Sequence, residues 1–250
     1  MEEASPESTA HPIHSIPGFA DPVSSLTHLS GAALFFFMSF VLLRRGGLHR
    51  GRFTALLVFV ISSVFLFSMS GTYHLLDHGS SARALFQRLD HAAIFVLIAG
   101  TFTPAHALMA RGFWQWPLLA LIWCAAGAGA FVKLFFFDDV PEWLGLTLYL
   151  AMGWFGLVSG VYFLKTRGRR IYTLLGPILL GAFAYTIGAI LEFLRWPVLI
   201  DGVVGPHELF HVAVILGALF HWIFVYRIVA RVEIIAPRTK TTQPVRAPAT

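Results

Sequence analysis

Seven long apolar segments most restrict the fold of this 250-residue chain. Each is long enough to cross a bilayer as a helix, which takes about 17 to 25 residues. Only 12% of the residues are charged, against about 25% in soluble domains, so a water-soluble fold is excluded. The sequence predicts an all-α membrane protein, a seven-transmembrane helix bundle with spans at about 27–43, 53–76, 88–109, 114–133, 143–164, 171–194 and 207–229.

Both ends of the chain differ in composition from the apolar body. Residues 1–25 carry four acidic residues, including Asp21, and have neither a basic start nor an apolar core. They predict a flexible acidic tail rather than a signal peptide. Residues 231–250 are basic and rich in Thr and Pro, which predicts disorder, so the transmembrane domain is assigned to 26–230. The single cysteine, Cys124, excludes an intramolecular disulfide.

The basic residues lie mostly on one side of the membrane. Seven spans alternate the connections between two faces, and 14 of the 18 Lys and Arg residues fall on the face of the 44–52 loop, the 165–170 loop and the C-terminus. Lys and Arg concentrate in cytoplasmic loops of membrane proteins. We therefore expect a multi-pass protein of the plasma (inner) membrane with its N-terminus outside and its C-terminus in the cytoplasm.

Ionisable side chains inside the spans cluster near the opposite, acidic face. The second span ends with Ser70 and His74, the third begins near Asp90, and the seventh begins with His207 and His211. Ionisable residues inside a membrane are costly and indicate function. Residues four apart share one helix face, so His207 and His211 can bind one metal ion from a single helix.

These residues lie at similar depths, because the second span ends on the face where the third and seventh begin. Three imidazoles with an open fourth position are a recurring catalytic zinc site. The sequence therefore predicts zinc held by His74, His207 and His211. A nearby carboxylate can orient an activated water or take its proton, which points to Asp90. The Ser70 hydroxyl is placed to hydrogen-bond either a substrate oxygen or a group that supports the metal ligands.

Other polar residues in the spans are interpreted as structural. A lone histidine is more often a packing residue, and helix geometry keeps two of the others, His106 and His221, from reaching the predicted site. Glu192 is expected to pair with Arg195 three residues on, with general base as its second interpretation. Glu208 faces away from His207 and is not expected to be a ligand.

The combined motifs resemble the haemolysin III family of bacteria, a branch of the progestin and adiponectin receptor (PAQR) group. The resemblance covers about residues 25 to 230 and rests on Ser70-x-x-x-His74, Asp90-His91-Ala92-Ala93-Ile94, Gly100-Thr101-Phe102-Thr103-Pro104 and His207-x-x-x-His211. It implies an adiponectin-receptor-like fold with one zinc ion on the three histidines. Asp90 matches the acid that holds the zinc-bound water, and Ser70 matches the serine of the same motif.

The resemblance implies activity on membrane lipids, since relatives are associated with hydrolysis of the ceramide amide bond. One hypothesis is a zinc-dependent hydrolase of lipid amide or ester bonds that serves membrane-lipid homeostasis. The alternative is a non-catalytic protein, either a pore-forming cytolysin or a sensor or receptor of membrane state, with structural zinc. The adiponectin receptors place their N-terminus and zinc on the cytosolic side, opposite to the orientation that the charge count indicates here.

Overall fold

The computed structural model describes residues 13–47 and 49–235. Within them it contains seven helices that are long and apolar enough to span a membrane. The seven predicted spans are confirmed, and the fifth, Glu142–Arg167, is divided into two helices at Phe155. Two short 3-10 turns, Gly112–Trp114 and Gly168–Ile171, join neighbouring helices. The α-helices are α1 (Pro22–Gly46), α2 (Arg50–Leu75), α3 (Ser81–Met109), α4 (Trp116–Phe135), α5 (Glu142–Trp154), α6 (Gly156–Arg167), α7 (Tyr172–Leu194) and α8 (Pro206–Ile235).

The first helix begins at Pro22, five residues before the predicted edge at 27. Proline suits the first turn of a helix because its missing N–H has no partner there. The polar residues that follow it are bonded to other helices: the Ser24 hydroxyl donates to Glu208, and the Ser25 hydroxyl donates to the Gly71 carbonyl. A hydropathy profile leaves this turn out of the span because its serines are polar. The groups that satisfy their hydroxyls are distant in the sequence and do not enter the profile.

The third and eighth helices are longer than predicted. Ser80 caps α3 by accepting a hydrogen bond from the Arg83 backbone N–H, so this helix begins seven residues before the apolar segment at 88. α8 continues to Ile235, beyond the predicted edge at 229. Residues 1–12, about half of the predicted N-terminal tail, and residues 236–250, most of the predicted C-terminal tail, lie outside the described residues.

The spans pack as a bundle around α3, which is the most buried of the seven. α2 packs on both α1 and α3, α4 packs on α3, and α7 packs on α8. α8 also contacts α1, which closes the bundle on that side. The α5–α6 pair is the least buried span, and α5 contacts both α3 and α7.

Large apolar side chains face outward from several spans, as expected where the neighbour is lipid. On α1 these include Phe36 and Phe37, and on α7 they include Phe183 and Ile187. Phe37, for example, is 68% exposed. Small residues let helices approach closely in a membrane; Gly188 of α7, for instance, faces Ala213 of α8.

The antiparallel arrangement brings the end of α2 and the beginnings of α1 and α8 together. The backbone N–H of Asp21, just before α1, donates to the carbonyl of His74, near the end of α2, at 2.9 Å. The Ser24–Glu208 hydrogen bond of 2.8 Å joins α1 to α8. The ends of α2 and α8, which carry His74, His207 and His211, are therefore both fixed against the start of α1.

Candidate metal centre

Three imidazoles from two helices meet at this end of the bundle. One nitrogen from each of His74, His207 and His211 lies within 4.8 Å of the others. The Nε2 atoms of His74 and His207 are 3.1 Å apart. His74 and His211 are buried, and His207 is partly buried. The prediction that these three histidines form one cluster is confirmed.

The Nδ1 atom of each imidazole is directed at an oxygen that can only accept a hydrogen bond. His74 faces Asp21 Oδ2 at 2.8 Å, His207 faces Glu192 Oε1 at 3.3 Å, and His211 faces the Ser24 carbonyl at 3.3 Å. Such partners place the proton on Nδ1, so Nε2 keeps its lone pair. Histidines that bind metals commonly have this arrangement.

Three imidazole nitrogens within 4.8 Å of one another are a donor set of the type that zinc accepts. Imidazole nitrogens bound to tetrahedral zinc at about 2.0 to 2.1 Å lie about 3.3 Å apart, close to the observed separation of the His74 and His207 Nε2 atoms. Three neutral nitrogen donors leave a fourth position, as in catalytic zinc centres. The cluster can hold a metal ion; that the ion is zinc remains a prediction.

Asp21 is the residue of this site that the sequence prediction missed, because it was assigned to the tail. Its carboxylate accepts hydrogen bonds from His74 and from Arg83, the latter at 2.6 Å. Burial of the carboxyl opposes its ionisation, but these two partners outweigh burial and hold the pKa of Asp21 well below its usual range. An Asp followed by Pro at the start of an apolar helix was the available signal, since Asp is a common N-cap residue.

Arg83 fixes Asp21 from the other side. Its guanidinium also donates to the carbonyls of Leu76, at 2.7 Å, and Tyr73, at 3.2 Å, and it stacks over the Tyr73 ring. Arg83 thus donates hydrogen bonds to carbonyls at the end of α2 while it holds the Asp21 carboxylate against His74. A basic side chain at the carboxyl end of a helix is favourable because of the helix dipole.

Glu208 is buried and has a structural role. Its carboxylate accepts from the Ser24 hydroxyl and from the Gly205 backbone N–H, both at 2.8 Å. These bonds tie α1 to the start of α8 and position the Ser24 carbonyl beside His211. The ring of His28 stacks on His211, with centroids 3.7 Å apart.

Glu192 has both a structural pair and a link to the cluster. Its predicted ion pair with Arg195 is confirmed, at 2.6 Å, and the same oxygen faces His207. Arg195 also bonds both carboxylate oxygens of Glu142 on α5, at 2.9 and 2.8 Å. Ionic contacts therefore connect α5 to the imidazole of His207 through α7.

Asp90 and Ser70 lie beside the cluster in a cavity of about 330 Å³ that His207 and His211 also line. Asp90 is only 9% exposed and is close enough to His207 to interact with it electrostatically. Ser70 is buried and interacts with the same carboxylate. The structure thus brings both predicted residues to the site, and their catalytic roles remain predictions.

The remaining cavity wall is mainly apolar and belongs to α3, α5, α6, α7 and α8. Leu97 and Ile98 of α3 line it, as do Leu146 and Leu150 of α5. His106 lies in this wall too, but its ring nitrogens face the Trp114 carbonyl at 2.6 Å and the Ser159 hydroxyl at 3.0 Å. His106 and His221 are outside the three-histidine cluster, as predicted from helix geometry.

The fold and the cluster together define a class of protein: seven-helix membrane proteins with three histidines from the second and seventh spans at one end of the bundle. Comparison with known proteins gives the family. A family model described as "Haemolysin-III related" matches residues 19–222. The chain belongs to this haemolysin-III-related family.

Individual relatives agree with this assignment. The chain is 31% identical to "Hemolysin-3" of Bacillus cereus over 198 residues, which are 78% of this chain and 85% of that protein. It is 27% identical to "Progestin and adipoQ receptor-like protein 1" of Caenorhabditis elegans over 216 residues, 78% of this chain and 49% of that protein. It is also 30% identical to "Heptahelical transmembrane protein ADIPOR2" of rice over 182 residues, 68% of this chain and 79% of that protein.

Proposed function

We propose that this protein is a zinc-dependent hydrolase of amide or ester bonds in membrane lipids, with ceramide-like amides as the first substrate class. The observation that carries the proposal is the position of a buried carboxylate, Asp90, in the same apolar cavity as the three histidines. A metal centre with structural duties alone has no need of a neighbouring base or of a cavity large enough for part of a lipid.

The chain's own residues prepare the metal site. His74, His207 and His211 offer Nε2 because their Nδ1 atoms are engaged by Asp21, Glu192 and the Ser24 carbonyl. Zinc in such a site polarises a carbonyl group and makes a water molecule acidic near neutral pH. These oxygen partners hold the imidazoles in position, which matters because small displacements of catalytic groups are costly.

Asp90 acts as the general base and Ser70 as a hydrogen-bond donor. Asp90 takes a proton from the attacking water, whose oxygen adds to the lipid carbonyl carbon. The Ser70 hydroxyl stabilises the negative charge that develops on the carbonyl oxygen. Asp90 then returns the proton to the leaving nitrogen or oxygen as the carbon–heteroatom bond breaks. The products are a fatty acid and an amine or alcohol.

Membrane lipids are the partners that the cavity favours. Its apolar wall is formed by spans that face the bilayer, and the α5–α6 pair beside it is the least buried of the seven. An acyl chain can lie along this wall while its carbonyl reaches the histidine end. A fully water-soluble substrate would leave this wall uncovered.

The experiment is hydrolysis of a short-chain ceramide and its ester analogue by purified protein in liposomes. We expect fatty acid release that stops when a chelator removes zinc and returns when zinc is added back. Zinc-dependent thermal stability without any release from either substrate contradicts the enzyme and supports the structural-zinc alternative. That alternative has its own support, because the cluster joins α2 to α8 and its hydrogen-bond partners extend to α7.

We further propose the orientation that the basic residues indicate, with the C-terminus in the cytoplasm and the histidine cluster toward the outer face of the plasma membrane. A reporter fused after Thr250 that is active only in the cytoplasm should give a signal. A reporter active only after export should remain silent, and the reverse pair of results would invert the orientation. The same reporters at the 44–52 loop provide the control, since this loop is expected on the same side.

A further inference from the structure

Lys133 is a buried lysine that the proposed reaction does not use. It lies in the last turn of α4, where a lysine ordinarily extends its amine to the membrane surface. Lys133 is instead only 4% exposed and lines the cavity that contains Asp90 and His207. Burial of an ammonium group is costly unless a partner compensates it.

The fold makes specific room for this side chain. Gly145 on α5 has no side chain, and this leaves space for the end of the Lys133 side chain. A Cβ at position 145 would lie 3.1 Å from both Cε and Nζ of Lys133. On the other side, Nζ lies over the Phe137 ring, 5.1 Å from its centroid. An aromatic face attracts a cation but provides no anion.

Lys133 has no hydrogen bond and no ion pair with any residue in the described part of the chain. Glu142 is the acidic residue whose charge acts on it, but both carboxylate oxygens of Glu142 are bonded to Arg195. No described residue therefore provides an anionic partner for the Lys133 ammonium. The cavity is the space from which a bound anion can reach it.

We propose that Lys133 binds the anionic headgroup of a lipid whose acyl chain occupies the cavity. An ammonium on a cavity wall forms a charge-assisted hydrogen bond with a phosphate or carboxylate oxygen. The apolar lining beyond it accommodates the chain. An exposed surface lysine would discriminate little between anionic and neutral lipids, because the ions of the surrounding solution screen its charge.

This inference rests on the proposed function for its meaning, since it narrows the proposed substrates, the amides and esters among membrane lipids, to those that carry a negative headgroup. The binding itself can be measured without any turnover. Two probes that differ only in the phosphate are 1-lauroyl lysophosphatidic acid and 1-lauroylglycerol, and glycerol 3-phosphate represents the headgroup alone.

The test is equilibrium binding of these probes to the purified protein in neutral detergent, measured by native mass spectrometry. We expect the wild type to bind the anionic lipid about 10- to 100-fold more tightly than the neutral one, the range expected for a hydrogen bond to a charged group. Lys133→Met should reduce this preference to within about twofold. The matched control is Lys165→Met, since Lys165 is exposed at the end of α6, and it should keep the preference.

A second variant guards against misfolding. Gly145→Ala retains the lysine but places a methyl group against Nζ, so the preference should fall while the protein still binds 1-lauroylglycerol. A wild type without preference, or a Lys133→Met protein that retains it, overturns the proposal. Equal binding of glycerol 3-phosphate and the anionic lipid overturns the lipid assignment.

The paired variant His207→Ala with His211→Ala separates this inference from the proposed function. It should lose zinc and retain the preference for the anionic lipid. A wild-type protein that shows the preference but hydrolyses no lipid would contradict the hydrolase alone, whereas a wild-type protein that hydrolyses lipid without the preference would contradict the role of Lys133 alone.

Discussion

Replacing His207 and His211 together with alanine should remove the zinc from the purified protein. Metal analysis is expected to fall from about one zinc per chain to less than about 0.1, because a single remaining imidazole cannot hold the ion. Hydrolysis should fall with it. Thermal stability should also decrease, since a ligand that binds only the folded state stabilises that state.

The matched control for this variant is His221→Ala. His221 lies on the same helix but outside the cluster, with Nε2 3.4 Å from the Ile178 carbonyl. This variant should retain the full zinc content even if its stability falls. An unchanged zinc content in the double variant would contradict the assignment of these histidines as ligands.

Asp21→Asn should weaken zinc binding without abolishing it. Asparagine keeps the size of the side chain but removes the charge that holds the His74 Nδ1 proton and pairs with Arg83. Loss of such a supporting partner typically weakens metal affinity about 10- to 100-fold. Competition with a chelator measures this change, and an affinity equal to wild type would show that Asp21 serves only the packing of α1.

Replacing Asp90 with asparagine should leave zinc bound and stop lipid hydrolysis. Asparagine preserves the volume of the side chain but cannot accept the proton of water. General-base catalysis contributes about 10²- to 10⁴-fold, so turnover should fall by at least about 100-fold. The measurement pairs fatty acid release in liposomes with zinc content of the same preparation, which separates loss of the base from loss of the metal.

The control for Asp90 is Asp138→Asn. Asp138 follows α4 at the same end of the bundle, but its side chain is 82% exposed and pairs with Arg88 at 3.0 Å. This variant should hydrolyse lipid at the wild-type rate. If Asp90→Asn retains turnover, Asp90 is not the base, and Glu192 becomes the next residue to test because it lines the same cavity.

Much of the site was predictable because helical geometry is regular. The spacing of His207 and His211 places both rings on one face of α8, and alternation of the spans places His74 at the same end. Depth along the helices therefore predicted the cluster without any knowledge of packing. The same geometry excluded His106 and His221.

Residues outside the apolar segments were less predictable. Asp21 precedes α1 and resembles a tail residue in composition, yet its carboxylate lies between His74 and Arg83. The break of the fifth span at Phe155 was also not predicted, because the sequence remains apolar on both sides of it. Neither feature has a local signal as strong as a continuous apolar segment.

Sequence alone determined the number of spans and the depth of the polar residues inside the predicted spans, because hydropathy and the rise of a helix are local properties. Tertiary structure alone decided which oxygen faces each imidazole and which charged groups have no partner among the described residues. Lys133 shows the difference: in the sequence it is one of four basic residues on the acidic face, whereas in the fold Gly145 and Phe137 enclose it beside the cavity. Such contacts join side chains on different elements, and helix packing determines which of them meet.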